Sequence, residues 1–70
     1  MSSMTIGAKI KELREAHGIK QKELASVLGV DPSTITKYEK NERLPEIKYL
    51  IKIADFFDVS VDFLLGRKEY

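Results

Sequence analysis

The chain has 70 residues, with 12 Lys and Arg against 11 Asp and Glu and a formal net charge of +1. That length is one small domain, able to bury only roughly 60% of the surface its unfolded form exposes. It has no cysteine, no apolar run approaching the roughly 20 residues of a membrane span and no signal-like pattern over Met1–Gly7, which excludes thiolate sites and disulfides and fits a reducing cytoplasm.

Thr5–Ala16 has helical spacing. Ile6, Ile10 and Leu13 form one stripe, Thr5 can cap the start, and Gly18 can take the left-handed conformation after the end. Gln21–Leu28 is a second, short helix with Leu24 and Leu28 on one face, Ala25 beside them and Gly29 ending it. Its start is weak, because Lys20 stands where a Ser or Thr cap belongs, a lack worth about 1 kcal/mol. Asp31–Lys40 is the third helix, with Asp31 as cap, Pro32 at the first helical position and Asn41 suited to end it.

Glu46–Phe57 is the most apolar helix. Ile47, Leu50, Ile51, Ala54 and Phe57 cover one face, and Ile53 with Phe56 widens it, which predicts a central place in a bundle. Val59–Leu65 reads two ways. Val59, Val61 and Phe63 alternate as in a strand, whereas Ser60, Asp62 and Gly66 fit a short capped helix. No second strand candidate exists to pair with it, so it is taken as a fifth helix. The expected fold is all-α: five short helices joined by tight turns.

The second and third helices carry the informative pattern. Leu24, Ala25, Leu28, Gly29, Val30, Ile35 and Tyr38 form a spaced set. Small Ala25 admits a close neighbouring helix, Gly29 permits a positive φ in a tight turn, and Val30 and Ile35 fill the angle between the helices. These are the demands of a helix-turn-helix. On the third helix, Ile35, Tyr38 and Glu39 share the inward side. Ser33, Thr36, Lys37 and Lys40 share the outward side, which has hydroxyls and cations and no acid, the donors that phosphates and base edges accept from. Such a stripe on an arbitrary helix is a solvated face; on this helix it is a reading face. Glu39 and Arg14 both lie on apolar sides of their helices, which predicts a partly buried ion pair between them.

These strings resemble the Cro and phage-repressor type of helix-turn-helix domain, the Xre family, over about Ile6 to Gly66. The matching pieces are Ile10 to Arg14, Gln21 to Ala25, Leu28 to Val30, Ile35 to Glu39, Pro45, Leu50 to Ala54 and Val59 to Gly66. The resemblance implies a compact five-helix, lambda-repressor-like DNA-binding domain over residues 5–66, with residues 1–4 a flexible N-terminus and residues 67–70 a tail. It implies major-groove binding to operator DNA as a dimer. Carried over, Gln21 would meet a phosphate and reach toward a base, and Pro32, Ser33 and Lys37 would fall at base-reading positions. Thr34 and Thr36 would lie nearer the backbone, and Lys40 and Arg43 would contact phosphates. Arg14 and Glu39 match the family's structural ion pair. Three positions depart from the pattern. Lys20 replaces a hydroxyl cap but adds a cation beside DNA, Pro32 offers only apolar contact, and Asn41 stands where Gly is usual.

Charge is distributed unevenly. Residues 1–52 carry ten basic and seven acidic groups, whereas residues 53–66 carry Asp55, Asp58 and Asp62 and no base. The basic groups left for DNA are Lys20, Lys22, Lys37, Lys40 and Arg43, and two copies using three or four each would give a log–log salt slope of about −5 to −7. The acidic segment should face away from DNA, and Val61, Phe63 and Leu64 within it are the expected dimer contact. His17 reads as a helix end, the three aspartates as a solvated face rather than a metal or catalytic cluster, and Tyr38 and Tyr49 as packing residues. The expectation is a cytoplasmic, non-enzymatic, homodimeric repressor of double-stranded operator DNA, needing no cofactor and showing no effector site. The alternative is an antitoxin-like module whose apolar surface covers a co-encoded protein.

Overall fold

The computed structural model describes residues 5–69. The expected N-terminal segment 1–4 and Tyr70 lie outside the described residues. Five helices follow in order: α1 Ile6–Ala16, α2 Gln21–Leu28, α3 Pro32–Glu39, α4 Ile47–Phe57 and α5 Val61–Leu64.

The helix ends are set by local chemistry. Thr5 Oγ1 accepts from the Ala8 amide at 3.1 Å, Asp31 Oδ2 from the Ser33 amide at 2.9 Å, and Ser60 Oγ from the Phe63 amide at 2.9 Å. Each binds one of the amides that a helix start leaves unpaired. The start of α2 is better supported than Lys20 promises. The Glu23 carboxylate accepts from the Lys20 amide at 2.8 Å, which is one half of a capping box; the Lys20 ammonium has no lone pair with which to complete the other half. Helix α3 is shorter than expected, because Lys40 already leaves the helical ladder as its C-cap. Asn41 then takes φ 60° and Asp58, after α4, takes φ 57°, conformations that Asn and Asp tolerate better than most side chains.

The core consists of Ile10, Leu24, Ala25, Leu28, Ile35, Tyr38, Leu50, Ile53, Ala54, Phe57 and Leu64. Two expectations are corrected here. Ile53 is the fully buried isoleucine of α4, while Ile47 and Ile51 are 67% and 48% exposed. An α-helix apolar around most of its circumference leaves the inward stripe undecided by pattern alone; the packing selects Leu50, Ile53, Ala54 and Phe57 and leaves the neighbouring flank in water. Leu64 is at 0% exposure in the core, so it does not stand on a surface as a dimer contact. Its position in a single helical turn places it opposite the wet side of α5, and Val61 and Phe63 are half-buried at the edge.

The first and last helices are tied together. Lys9 Nζ donates to the Phe63 carbonyl at 2.9 Å and sits 5.2 Å from the centre of the Phe63 ring. A cation at the C-terminal end of α5 meets both a helix-end carbonyl and an aromatic face. The expected tail is also bound back, since the Arg67 amide donates to the Asp62 carbonyl at 2.8 Å.

Candidate functional site

The α2–α3 turn is built by Gly29, at φ +73°. The Val30 amide donates to the Ala25 carbonyl at 3.0 Å, so the chain turns sharply and α3 crosses α2. Ala25, at 1% exposure, lets the two backbones approach. Ile35 and Tyr38 then anchor the inner face of α3 in the core, which leaves Ser33, Lys37 and Lys40 exposed.

A hydrogen-bonded brace fixes α3 against α1 and α2. Arg14 Nε donates to Glu39 Oε2 at 2.7 Å and Arg14 Nη2 to Glu39 Oε1 at 3.2 Å. This is a two-pronged pair of the kind a planar guanidinium favours. The side chains are only 12% and 5% exposed. The third guanidinium nitrogen, Nη1, donates to the Ile19 carbonyl at 3.0 Å, which fixes the loop leading into α2. The hydrogen bonds to Glu39 push the Arg14 pKa up, against the opposing effect of burial. Gln21 extends the chain: its Nε2 donates to Glu39 Oε1 at 3.0 Å, and its Oε1 accepts from the Thr36 hydroxyl at 2.8 Å. Arg14, Glu39, Gln21 and Thr36 are therefore one unit.

This changes what Gln21 and Thr36 offer. Both were expected as separate DNA contacts. Thr36 already commits its hydroxyl hydrogen to Gln21, so it stands as an acceptor rather than a donor to phosphate. Gln21 keeps one N–H and one lone pair beyond the brace. A cleft lined by Lys11, Arg14, Glu15, Gln21, Thr36, Glu39 and Lys40 opens over this unit. Gln21, Thr36 and Lys40 share this cleft, and Lys20 directly precedes α2 in the chain. Arg43 does not join them. It lines a second cleft with Ile6, Gly7, Tyr38, Asn41, Leu44 and Pro45, on the α1 side of the loop after α3. Burial pushes the Tyr38 phenol up from its ordinary pKa, with the Arg43 charge opposing, in keeping with a ring that belongs to the core. Thr34 is half-buried, and Pro32 is exposed at the start of α3.

Asn41 and Gly7 form a link that sequence reading missed. The Gly7 amide donates to Asn41 Oδ1 at 3.1 Å, and Asn41 Nδ2 donates to Thr5 Oγ1 at 2.9 Å. Asn41 thus ends α3 and helps cap α1. A glycine inside a helical pattern was the available signal, since it marks a close approach of another backbone.

Comparison with known proteins agrees with this geometry. A family model described as helix-turn-helix matches residues 10–64. The HTH-type transcriptional regulator ImmR of Bacillus subtilis is 36% identical over 66 residues, covering 94% of this chain and 52% of that protein. The chain spans about half the length of the first curated relatives it matches. Among solved structures, the P22 c2 repressor in complex with a synthetic operator superposes with a TM-score of 0.87 at 26% identity, over 94% of this chain and 100% of that one. The N-terminal DNA-binding domain of SinR from Bacillus subtilis superposes at 0.80 with 38% identity, over 93% and 96% of the two chains.

Proposed function

Because this chain belongs to the helix-turn-helix family of Cro and phage-repressor type, we propose that it is a sequence-specific, double-stranded-DNA-binding transcriptional regulator. Helix α3 enters the major groove, and a homodimer bound to its operator represses by occluding polymerase, in the cytoplasm. The observation that carries this reading is the braced α3, held from behind by the Arg14–Glu39–Gln21–Thr36 unit with Ser33, Lys37 and Lys40 exposed in front. The P22 c2 structure, solved with a synthetic operator, supports it. Lys20, Lys40 and Arg43 supply phosphate contacts, with Thr34 and Gln21 beside them, and Pro32, Ser33 and Lys37 meet base edges.

Lys37→Ala is the test of base reading. It should leave the thermal unfolding curve in place, because Lys37 is exposed. Binding to a panel of single-base variants should lose about 1–3 kcal/mol of discrimination at one base pair. Equal weakening on every duplex would make Lys37 a phosphate contact and remove it from the reading set.

For the dimer, Leu44, Ile47 and Ile51 are a better surface than the segment first expected. They are 69%, 67% and 48% exposed, and Ile47 and Ile51 lie one turn apart on the same flank of α4. Leu64 is buried, and Phe63 is partly covered by Lys9. Exposed large apolar side chains grouped on one flank of so small a protein, as Ile47 and Ile51 are, mark a partner. Ile47→Lys should convert a dimer to a monomer in sedimentation and weaken operator binding, with half-sites about 34 Å apart, while Val61→Lys leaves the dimer intact. Should the unaltered chain sediment as a monomer and bind no duplex, while capturing its co-encoded protein, the antitoxin-like reading replaces this one.

A further inference from the structure

The first turn of α3 presents acceptors and holds back its donors. Pro32 has no amide hydrogen. The Ser33 amide donates to Asp31 Oδ2 at 2.9 Å, and the Ser33 hydroxyl donates to the same oxygen at 2.6 Å. The Thr34 amide donates to the Asp31 carbonyl at 2.9 Å. Asp31, Pro32 and Ser33 are nevertheless all exposed. What the tip offers outward is therefore the Ser33 oxygen lone pairs and the remaining oxygen of Asp31. Hydrogen bonds from Ser33 hold the Asp31 carboxyl below its ordinary pKa, so the tip is anionic at neutral pH.

An anionic tip without free amides is unsuited to phosphate, unlike an ordinary helix start. In the major groove its complements are the cytosine N4 and adenine N6 amino groups, the two base donors displayed there. Guanine N7 and O6 and thymine O4 are acceptors, and an acceptor facing an acceptor is repelled. Resting on the reading of α3 as the DNA-contacting helix, we propose that Asp31 determines specificity by holding the Ser33 hydroxyl hydrogen, so that residue 33 accepts from a base amino group and rejects a base acceptor. Asp31 is a positioning residue in this arrangement. Lys37, one turn further on, is a donor only, so the two residues read opposite base chemistries along one helix face.

The experiment begins with selection of an operator from random duplexes by the whole chain. Affinity is then measured on duplexes in which each adenine is replaced in turn by purine and each cytosine by pyrimidin-2-one, which deletes the amino group. One position per half-site should lose about fivefold in affinity, the size of a single net hydrogen bond. Ser33→Ala should show no loss on deletion at that position. Asp31→Ser keeps a hydroxyl cap on α3 but frees the Ser33 hydrogen; the hydroxyl can then donate as well as accept, so the variant should admit the inverted base pair there, which the unaltered chain rejects. A structural role alone would instead weaken all duplexes together. The inference is overturned if Asp31→Ser rejects the inverted base pair as strongly as the unaltered chain does, or if the position that depends on Ser33 responds to 7-deaza purines, which lack an acceptor, rather than to amino deletion. Selection of no duplex at all would instead bring down the DNA reading, and this inference with it.

Discussion

Arg14→Ala should leave the protein largely unfolded at moderate temperature. Glu39 accepts from Arg14 Nε, Arg14 Nη2 and Gln21 Nε2 while its side chain is only 5% exposed. Removing Arg14 leaves that carboxylate with Gln21 as its remaining partner among these donors, and it frees the Ile19 carbonyl. Breaking a buried pair by deleting one partner costs about 3–5 kcal/mol. A domain of this length has roughly 4–10 kcal/mol of total stability, so the loss is a large part of the whole. Circular dichroism against temperature reads the effect directly. A midpoint drop under about 5 °C corresponds to roughly 1 kcal/mol in a domain of this size and would place the pair among solvent-screened ones. Replacing both partners with apolar residues, Arg14→Met with Glu39→Leu, should recover much of the stability, because the stranded charge is then gone. It should not recover DNA binding, since Gln21 and Thr36 lose the group that orients them.

Gly7→Ala should destabilise, against the usual sign. In an exposed helix interior, alanine for glycine gains about 1 kcal/mol. Here the added methyl would collide with the Tyr38 carbonyl oxygen and lie 2.8 Å from both the Glu39 carbonyl oxygen and Asn41 Oδ1. Two of these three atoms are backbone at the end of α3 and cannot rotate away. Overpacking of this kind costs about 1–3 kcal/mol. The Gly7 to Asn41 hydrogen bond would go with it, and α1 would lift from α3 near the very turn that carries Glu39. Urea unfolding should show a lower midpoint with an unchanged slope; a higher midpoint would show that α1 has room to move.

What was readable in advance followed from local rules. Asp31, Pro32, Ser60 and Gly29 set helix boundaries through neighbours a few residues away, so their pattern locates α3, α5 and the turn. Arg14 and Glu39 stood out because a charge on an apolar face needs an explanation. What escaped was set by distant neighbours or by hydrogen direction. Ile47, Ile51 and Ile53 are alike in apolar character, and only the placement of the other helices decides which enters the core. Asn41 and Gly7 are 34 positions apart, and nothing in either neighbourhood announces the other. Ser33 and Thr36 are hydroxyls on an outward face, and composition cannot tell whether a hydroxyl hydrogen points out or is already taken.

Thr36 and Lys37 are adjacent in the chain and have opposite duties. One faces back into the brace, and the other faces solvent. A substitution at an exposed position away from special contacts shifts stability by only about 0.5 kcal/mol either way, whereas the brace tolerates little. Residue 37 is therefore free to vary in chemistry while the scaffold stays folded. Recognition can diversify without a trade against foldedness, so a descendant of this protein could acquire a new target through changes confined to the outer edge of one helix.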